Sequence, residues 1–212
     1  MSRIQSKKKE VISELMRETV YKAARSVIEQ YGWTGTTMDR VASEAGIAKG
    51  TVYNYFKNKR ELMMVVMEKN IEPINEQVIT IVQRKKFSTM KDTLSAIVET
   101  VIVELIRNKK IISAMILAFH EDGELRRKFD PRSHPYQNVR EVIHKVISQG
   151  VNNGEFRPID PNLAEAMVNS LFSGISRQIA LGDIDISKEE VARDVASFVL
   201  RGLLAPVEGG TL

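Results

Sequence analysis

Gly46 stands between two short stretches of apolar periodicity, and no other feature restricts the possible folds as much. The stretch is residues 35–56, GTTMDRVASEAGIAKGTVYNYF. Before the glycine, Met38, Val41, Ala42 and Ala45 recur at three- and four-residue spacing, which places them on one face of a helix. Thr36 or Thr37 can cap that helix, because a hydroxyl oxygen accepts from the free N–H groups of a first turn. Glycine enters the left-handed region without a Cβ clash, so Gly46-Ile47 suits a sharp turn. After it, Ile47, Val52 and Tyr55 or Phe56 form the inward face of a second helix. Ala42 is small enough for the two helices to cross closely. Helices joined in this way make a helix-turn-helix, whose second helix can enter a DNA major groove. An ordinary two-helix corner in an all-α protein has the same apolar spacing.

The outward residues favour the first reading. They are Lys49, Gly50, Thr51, Tyr53 and Asn54. A lysine reaches a phosphate or a guanine edge, Thr and Asn bond to bases or backbone, and Tyr donates to a phosphate. Gly50 leaves the helix backbone open to close approach. Charge agrees. The formal net charge is only +4, but residues 1–60 hold twelve Lys and Arg against six Asp and Glu, and the remainder holds nineteen against twenty-one. The basic excess therefore travels with the motif, where phosphate binding would need it.

A wider set of residues surrounds the motif: Ala23 and Ala24, Gly32 followed by Trp33, Thr36-Thr37-Met38, Val41-Ala42, Ala45-Gly46-Ile47, Lys49-Gly50-Thr51, Tyr53, Tyr55-Phe56, Lys59 and Leu62. From Ala23 to Leu62 the chain resembles the N-terminal domain of the TetR family of transcriptional regulators. Arg60 departs from the family pattern, which has an acid at this helix start. The resemblance implies an all-α protein with a helix-turn-helix DNA-binding domain at 1–62 and a helical ligand-binding and dimerisation domain at 63–212. It implies DNA contacts from Thr36, Thr37, Lys49, Gly50, Thr51, Tyr53, Asn54, Tyr55 and Lys59. The implied partners are a double-stranded DNA operator, a second copy of the chain and a small apolar ligand; no cofactor is expected. The function expected is a non-enzymatic regulator, a repressor released from a near-palindromic operator by its ligand. The alternative is a helical ligand-binding or interaction protein whose corner no longer touches DNA.

Composition bounds the rest. With 43% hydrophobic and 27% charged residues, 212 residues can bury a sizeable core. The absence of cysteine excludes disulfides and thiol chemistry. The N-terminal sequence has no uninterrupted apolar run, and charges such as Glu99, Glu104 and Arg107 break the longest apolar stretches. Neither a secretory signal nor a membrane span is expected, and the cytoplasm is the expected location.

Along the chain, residues 1–9 carry Arg3, Lys7, Lys8 and Lys9 and read as a mobile arm, either solvated or touching DNA. A first helix is expected over 10–31, with Leu15, Val20, Ala23, Ala24, Val27 and Ile28 toward the motif and Gly32 ending it. Asn58 is a cap for a fourth helix, with Glu61 completing a capping box and Pro73 expected to kink or interrupt it. This helix is the expected link between the domains. Further helices are expected over 90–107, 111–119, 122–130 (as a short helix or turn), 136–151, 161–181 and 187–204. The 90–107 helix is apolar nearly all round and should be central, with Thr100, Glu104 and Arg107 as its polar face. Asp160 with Pro161, and Ser187 with Glu190, are start signals for the last two.

Two surfaces follow. Leu163, Met167, Ser170, Leu171, Gly174 and Gln178 form one stripe, and Val191, Val195, Phe198, Val199 and Gly202 another; together they are the expected dimer interface. Glu104, Met115, Phe119, His120, Tyr136 and Phe172 are the expected ligand-pocket residues, although each aromatic or Met could equally be plain core. Phe87 and Phe129 are further candidates for its lining, and Glu99 for a polar contact. His120, His134 and His144, with Glu121 or Asp122, are the only residues that suggest a metal. They lie on separate segments, so no metal site and no metal-dependent hydrolase is expected.

Overall fold

The computed structural model describes residues 3–84, 87–128, 137–182 and 188–204. Among these residues the chain is all-helical, with ten helices and one isolated β-bridge between Phe156 and Leu204. It divides into two compact units: Met1–Lys69 with Lys110–Lys128, and Asn70–Lys109 with Phe129–Leu212.

In the first unit, α1 (Arg3–Gly35) is broken at Gly32, whose φ of 65° ends the regular helix where the sequence says it should. The start differs from expectation. Residues 3–9 are helical rather than an arm, and Leu15 is 62% exposed instead of facing the motif. Burial begins at Val20 and continues through Tyr21, Ala23, Ala24, Val27 and Ile28. Two short helices, α2 (Met38–Ala45) and α3 (Lys49–Tyr53), pack in sequence beside α1. A helix as short as α3 has no stability of its own in water. It is held by Val52 and Phe56, at 0% and 1% exposure.

Next, α4 (Lys59–Gln83) starts at an Asn58 cap: the Glu61 N–H donates to Asn58 Oδ1 at 2.9 Å, and the Lys57 N–H donates to Glu61 Oε2 at 2.8 Å. The capping box is therefore present, shifted by one residue at its return bond. Of the two outcomes expected at Pro73, a kink or an interruption, the interruption does not occur: α4 runs through it. The first unit is completed by α6 (Lys109–Glu121) and α7 (Gly123–Lys128).

In the second unit, α5 (Met90–Arg107) is the central helix, packed by α8 (Gln137–Asn152), α9 (Pro161–Leu181) and most extensively α10 (Lys188–Leu203). It is rich in Ile, Val and Thr, which cost up to about 0.7 kcal/mol each in a helix. Burial of Leu94, Ile97, Val98 and Ile102 to 0% exposure outweighs that, at roughly 1.5–3 kcal/mol per side chain. Thr89 caps α5, its hydroxyl accepting from the Asp92 N–H at 3.0 Å. Glu104, expected on a polar face, is instead buried at 5% exposure. It accepts from Arg107, from Gln77 at 3.3 Å and from Asn108, so its charge is compensated inside the unit. Asp160 caps α9 as expected, and its carboxylate, accepting from the Asn162 N–H at 2.7 Å, is held below the usual range. Ser187 lies outside the described residues.

Candidate nucleic-acid interface

The turn of the motif is built as the sequence requires. Gly46 has φ 65°, ψ 29°, and the Ile47 N–H donates to the Ala42 carbonyl at 3.1 Å. Of the two threonines, Thr37 is the cap: its hydroxyl accepts from the Arg40 N–H at 3.2 Å. Thr36 is buried, and its hydroxyl donates to the Gly32 carbonyl at 2.6 Å. One threonine therefore ends the loop and the other fastens it to α1.

On α3, Val52 and the following Phe56 take the buried side. Lys49, Gly50, Tyr53 and Asn54 are exposed, and Thr51 and Tyr55 are half-buried. Positions 49, 50, 53 and 54 lie one turn apart in pairs and so share a face. A Cβ added at Gly50 would meet nothing within 4 Å. The Lys49 ammonium pairs with Asp39 of α2 at 2.9 Å, which raises its pKa; both groups are exposed.

Other cations of this unit bond back onto the chain itself, although Arg17, Arg40 and Arg60 are exposed and Lys59 half-buried. Arg17 donates to the Tyr55 carbonyl at 3.3 Å and lies 5.0 Å from the Phe56 ring. Arg40 donates to the Gly35 carbonyl and covers the Tyr31 ring at 4.5 Å. Lys59 donates to the Trp33 carbonyl and lies 3.8 Å from the buried Trp33 indole. Burial lowers the Lys59 pKa, partly offset by Glu121 and Asp122. Arg60, the departure from the family pattern, bonds Asp122 and Glu124, each at 2.6 Å. Asp122 in turn caps α7, accepting from the Glu124 and Leu125 N–H groups at 3.1 Å. Sequence reasoning missed these clasps because their partners lie about sixty residues away in Arg60's case, with no periodic signal linking them.

The other expected sites divide as follows. Met115 is buried, Phe119 half-buried and His120 exposed, all on α6 in the first unit. Glu104 and Phe172 are buried in the second unit, and Tyr136 lies outside the described residues. On α9, Leu163, Met167, Ser170, Gly174 and Gln178 are all exposed and Leu171 half-buried. With Phe198 of α10, at 68% exposure, they line a groove of about 760 Å³. Gly202 is also exposed and Val195 half-buried. Val191 and Val199 depart from their expected stripe and face the core of their own unit, because α10 turns that side onto α5. Among the described residues no three His, Asp or Glu side chains gather as a metal site, and no helix is long and apolar enough to cross a membrane. His134 is outside the described residues.

Residues 20–65 match the family model described as bacterial regulatory proteins, tetR family. An HTH-type transcriptional regulator of Bacillus subtilis, YhgD, is 25% identical over 202 residues, covering 89% of this chain and 97% of that protein. The fatty acid metabolism regulator protein of Bacillus subtilis is 25% identical over 148 residues, covering 69% and 74%. Among solved structures, the transcriptional regulator FadR from Bacillus subtilis in complex with stearoyl-CoA superposes with a TM-score of 0.72 at 20% identity, over 87% of this chain and 98% of that one. The matched segment holds the capped α2, the left-handed Gly46 turn and the open face of α3, and through residues 20–65 the chain carries the N-terminal DNA-binding domain of the tetR family of bacterial regulatory proteins.

Proposed function

We propose that this regulator is a homodimeric repressor that binds a near-palindromic operator through residues 1–62 and is released by a small apolar ligand bound within residues 63–212. The observation that carries the DNA contact is Gly50. A glycine in a helix costs about 1 kcal/mol relative to alanine. Its φ is not positive, and no neighbour in the chain excludes a methyl group there. The remaining reason for a glycine is approach by something outside the chain. In this reading Lys49, Thr51, Tyr53 and Asn54 read or grip the groove around it. Thr37 and Tyr55 flank that face. Thr36 serves the site from beneath, by holding the loop.

One motif reads one half-site, so two copies are required. The groove of α9 and α10 supports this, as exposed Leu163, Met167 and Phe198 form an apolar surface suited to a matching copy. The recognition helices would then stand about 34–36 Å apart or at a multiple of that spacing. For the ligand, the likeness to a fatty acid metabolism regulator supports an acyl chain. The cytoplasm is where such an operator and ligand would both be met.

The test begins with duplexes recovered from a random pool by the purified protein. Near-palindromic sites, bound with strong salt dependence, are the expected result. A long-chain acyl-CoA is then titrated into free protein and into protein saturated with that operator. Linkage requires the acyl-CoA and the operator to weaken one another by the same factor, about 5- to 150-fold for a coupling of about 1–3 kcal/mol. Equal acyl-CoA affinities in the two titrations would remove the release mechanism while leaving DNA binding intact.

A further inference from the structure

We infer that Asp39 of α2 is a specificity-determining residue, which holds the Lys49 ammonium for base edges and away from phosphates. This rests on the DNA-binding reading above. Lys49 opens α3 and is its only cation. Its ammonium lies 2.9 Å from the Asp39 carboxylate of the neighbouring helix. The two side chains are 52% and 66% exposed. A pair so open to water adds little to stability, so the fold does not require it. It sits at the face that also carries Gly50, Tyr53 and Asn54. The bond to Asp39, and then the charge of the same carboxylate, hold the Lys49 proton more tightly than usual, so the ammonium stays charged.

An acid at this place opposes any duplex through its charge, because phosphates repel it. What it contributes is its effect on Lys49. An unrestrained lysine is a point charge on a flexible four-carbon stem, and it settles on the nearest phosphate. A phosphate contact carries no sequence information. Bonded to Asp39, the ammonium has one N–H engaged and two left, enough for the O6 and N7 acceptors of a guanine. The pair is also close to neutral, so it releases few counterions and adds little affinity for a random duplex. Neighbouring groups leave Asp39 to this role. The cap of α2 is Thr37, not Asp39. Arg40 is engaged by the Gly35 carbonyl and the Tyr31 ring, so Lys49 is the one cation bonded to Asp39 among the described residues. An acid in the first turn also suits the dipole of α2, and this defines the competing role, a helix-start residue with no part in binding.

The test uses the full chain, the operator recovered above and a random duplex of the same length. Affinity for each is measured across a range of salt for the wild type, Asp39→Asn, Asp39→Glu, Lys49→Met and the Asp39→Asn/Lys49→Met double variant. In Asp39→Asn the released Lys49 should take a phosphate. Random duplex should then bind more tightly, and its slope of log K against log salt should steepen by about 0.9, the contribution of one phosphate contact. The ratio of operator to random affinity should fall about 5- to 150-fold, the discrimination that one good base contact supplies. Asp39→Glu keeps the charge and should recover much of that ratio. With Lys49→Met already in place, Asp39→Asn should leave the slope unaltered. Equal steepening in both backgrounds would make Asp39 a repelling charge that acts without Lys49, and overturns the inference. An unchanged affinity ratio in Asp39→Asn, with only a lower melting temperature, overturns it as well and leaves Asp39 as a helix-start residue. A wild type that binds no duplex sinks the operator reading itself and this inference with it.

Discussion

In the proposed reading, a single missing methyl group at Gly50 separates folding from binding. Gly50→Ala adds a good helix former in open space, so the melting temperature should stay level or rise slightly. Operator affinity should fall about tenfold or more, the size of a 1–3 kcal/mol overpacking penalty at a close contact. Calorimetry and fluorescence anisotropy on one preparation check both halves. Equal affinity in the variant would mean that nothing approaches Gly50. Gly150 behaves in the opposite way. It is buried, and a Cβ there would overlap the ring of Phe156, itself 2% exposed. Gly150→Ala should therefore destabilise the second unit by about 1–3 kcal/mol, read from denaturant unfolding, since Phe156 has no open side to move into.

At the scale of elements, the clasp of Arg60 on Asp122 joins the start of α4 to the cap of α7 within the first unit. The Arg60 guanidinium, with the Leu125 and Glu124 N–H groups, holds the Asp122 carboxyl below its usual range. A carboxylate with a depressed folded pKa contributes stability that is complete above its ordinary pKa. That contribution disappears as pH falls through the folded value. Wild type should therefore be more stable than Arg60→Ala at neutral pH, and the two melting temperatures should converge as the solution is acidified past the ordinary carboxylate range. The Arg60 side chain is 44% exposed, so the gap is small and salt should narrow it. A gap that persists at the lowest pH would locate the effect of Arg60 in packing instead.

For the molecule as a whole, the exposed stripe of α9 makes a prediction about association. A side chain at Gly174 meets nothing within its own chain. Gly174→Leu should thus leave helix content unchanged while lowering self-association, measured by sedimentation at micromolar concentration. Operator affinity should fall with it, because a lone half-site forfeits the second set of contacts. An unchanged sedimentation profile would place the dimer contact elsewhere.

Local signals in the sequence were enough to place several helix ends, though not the start of α1. Thr37, Asn58 and Asp160 act through hydrogen bonds within three residues, and Gly32 and Gly46 through their own φ, so the end of α1, both ends of α2 and the starts of α4 and α9 were legible before any tertiary contact, whereas the Thr89 cap of α5 was not read. Val41 and Val52 were legible as the inner face because helical periodicity alone separates them from Lys49, Gly50 and Tyr53, but it left Tyr55 or Phe56 open, and packing chose Phe56. Periodicity could not say what an exposed position touches at long range. It placed Glu104 on a polar face, whereas Gln77 and Arg107 compensate its charge in the interior. It joined Val191 to Phe198, whereas packing against α5 buries the first and leaves the second in solvent. Above all, it counted twelve cations in residues 1–60 as one basic surface. Only the tertiary structure divides them, because an ammonium or guanidinium over an aromatic ring, or against a carboxylate sixty residues away, is fixed by how the chain returns on itself.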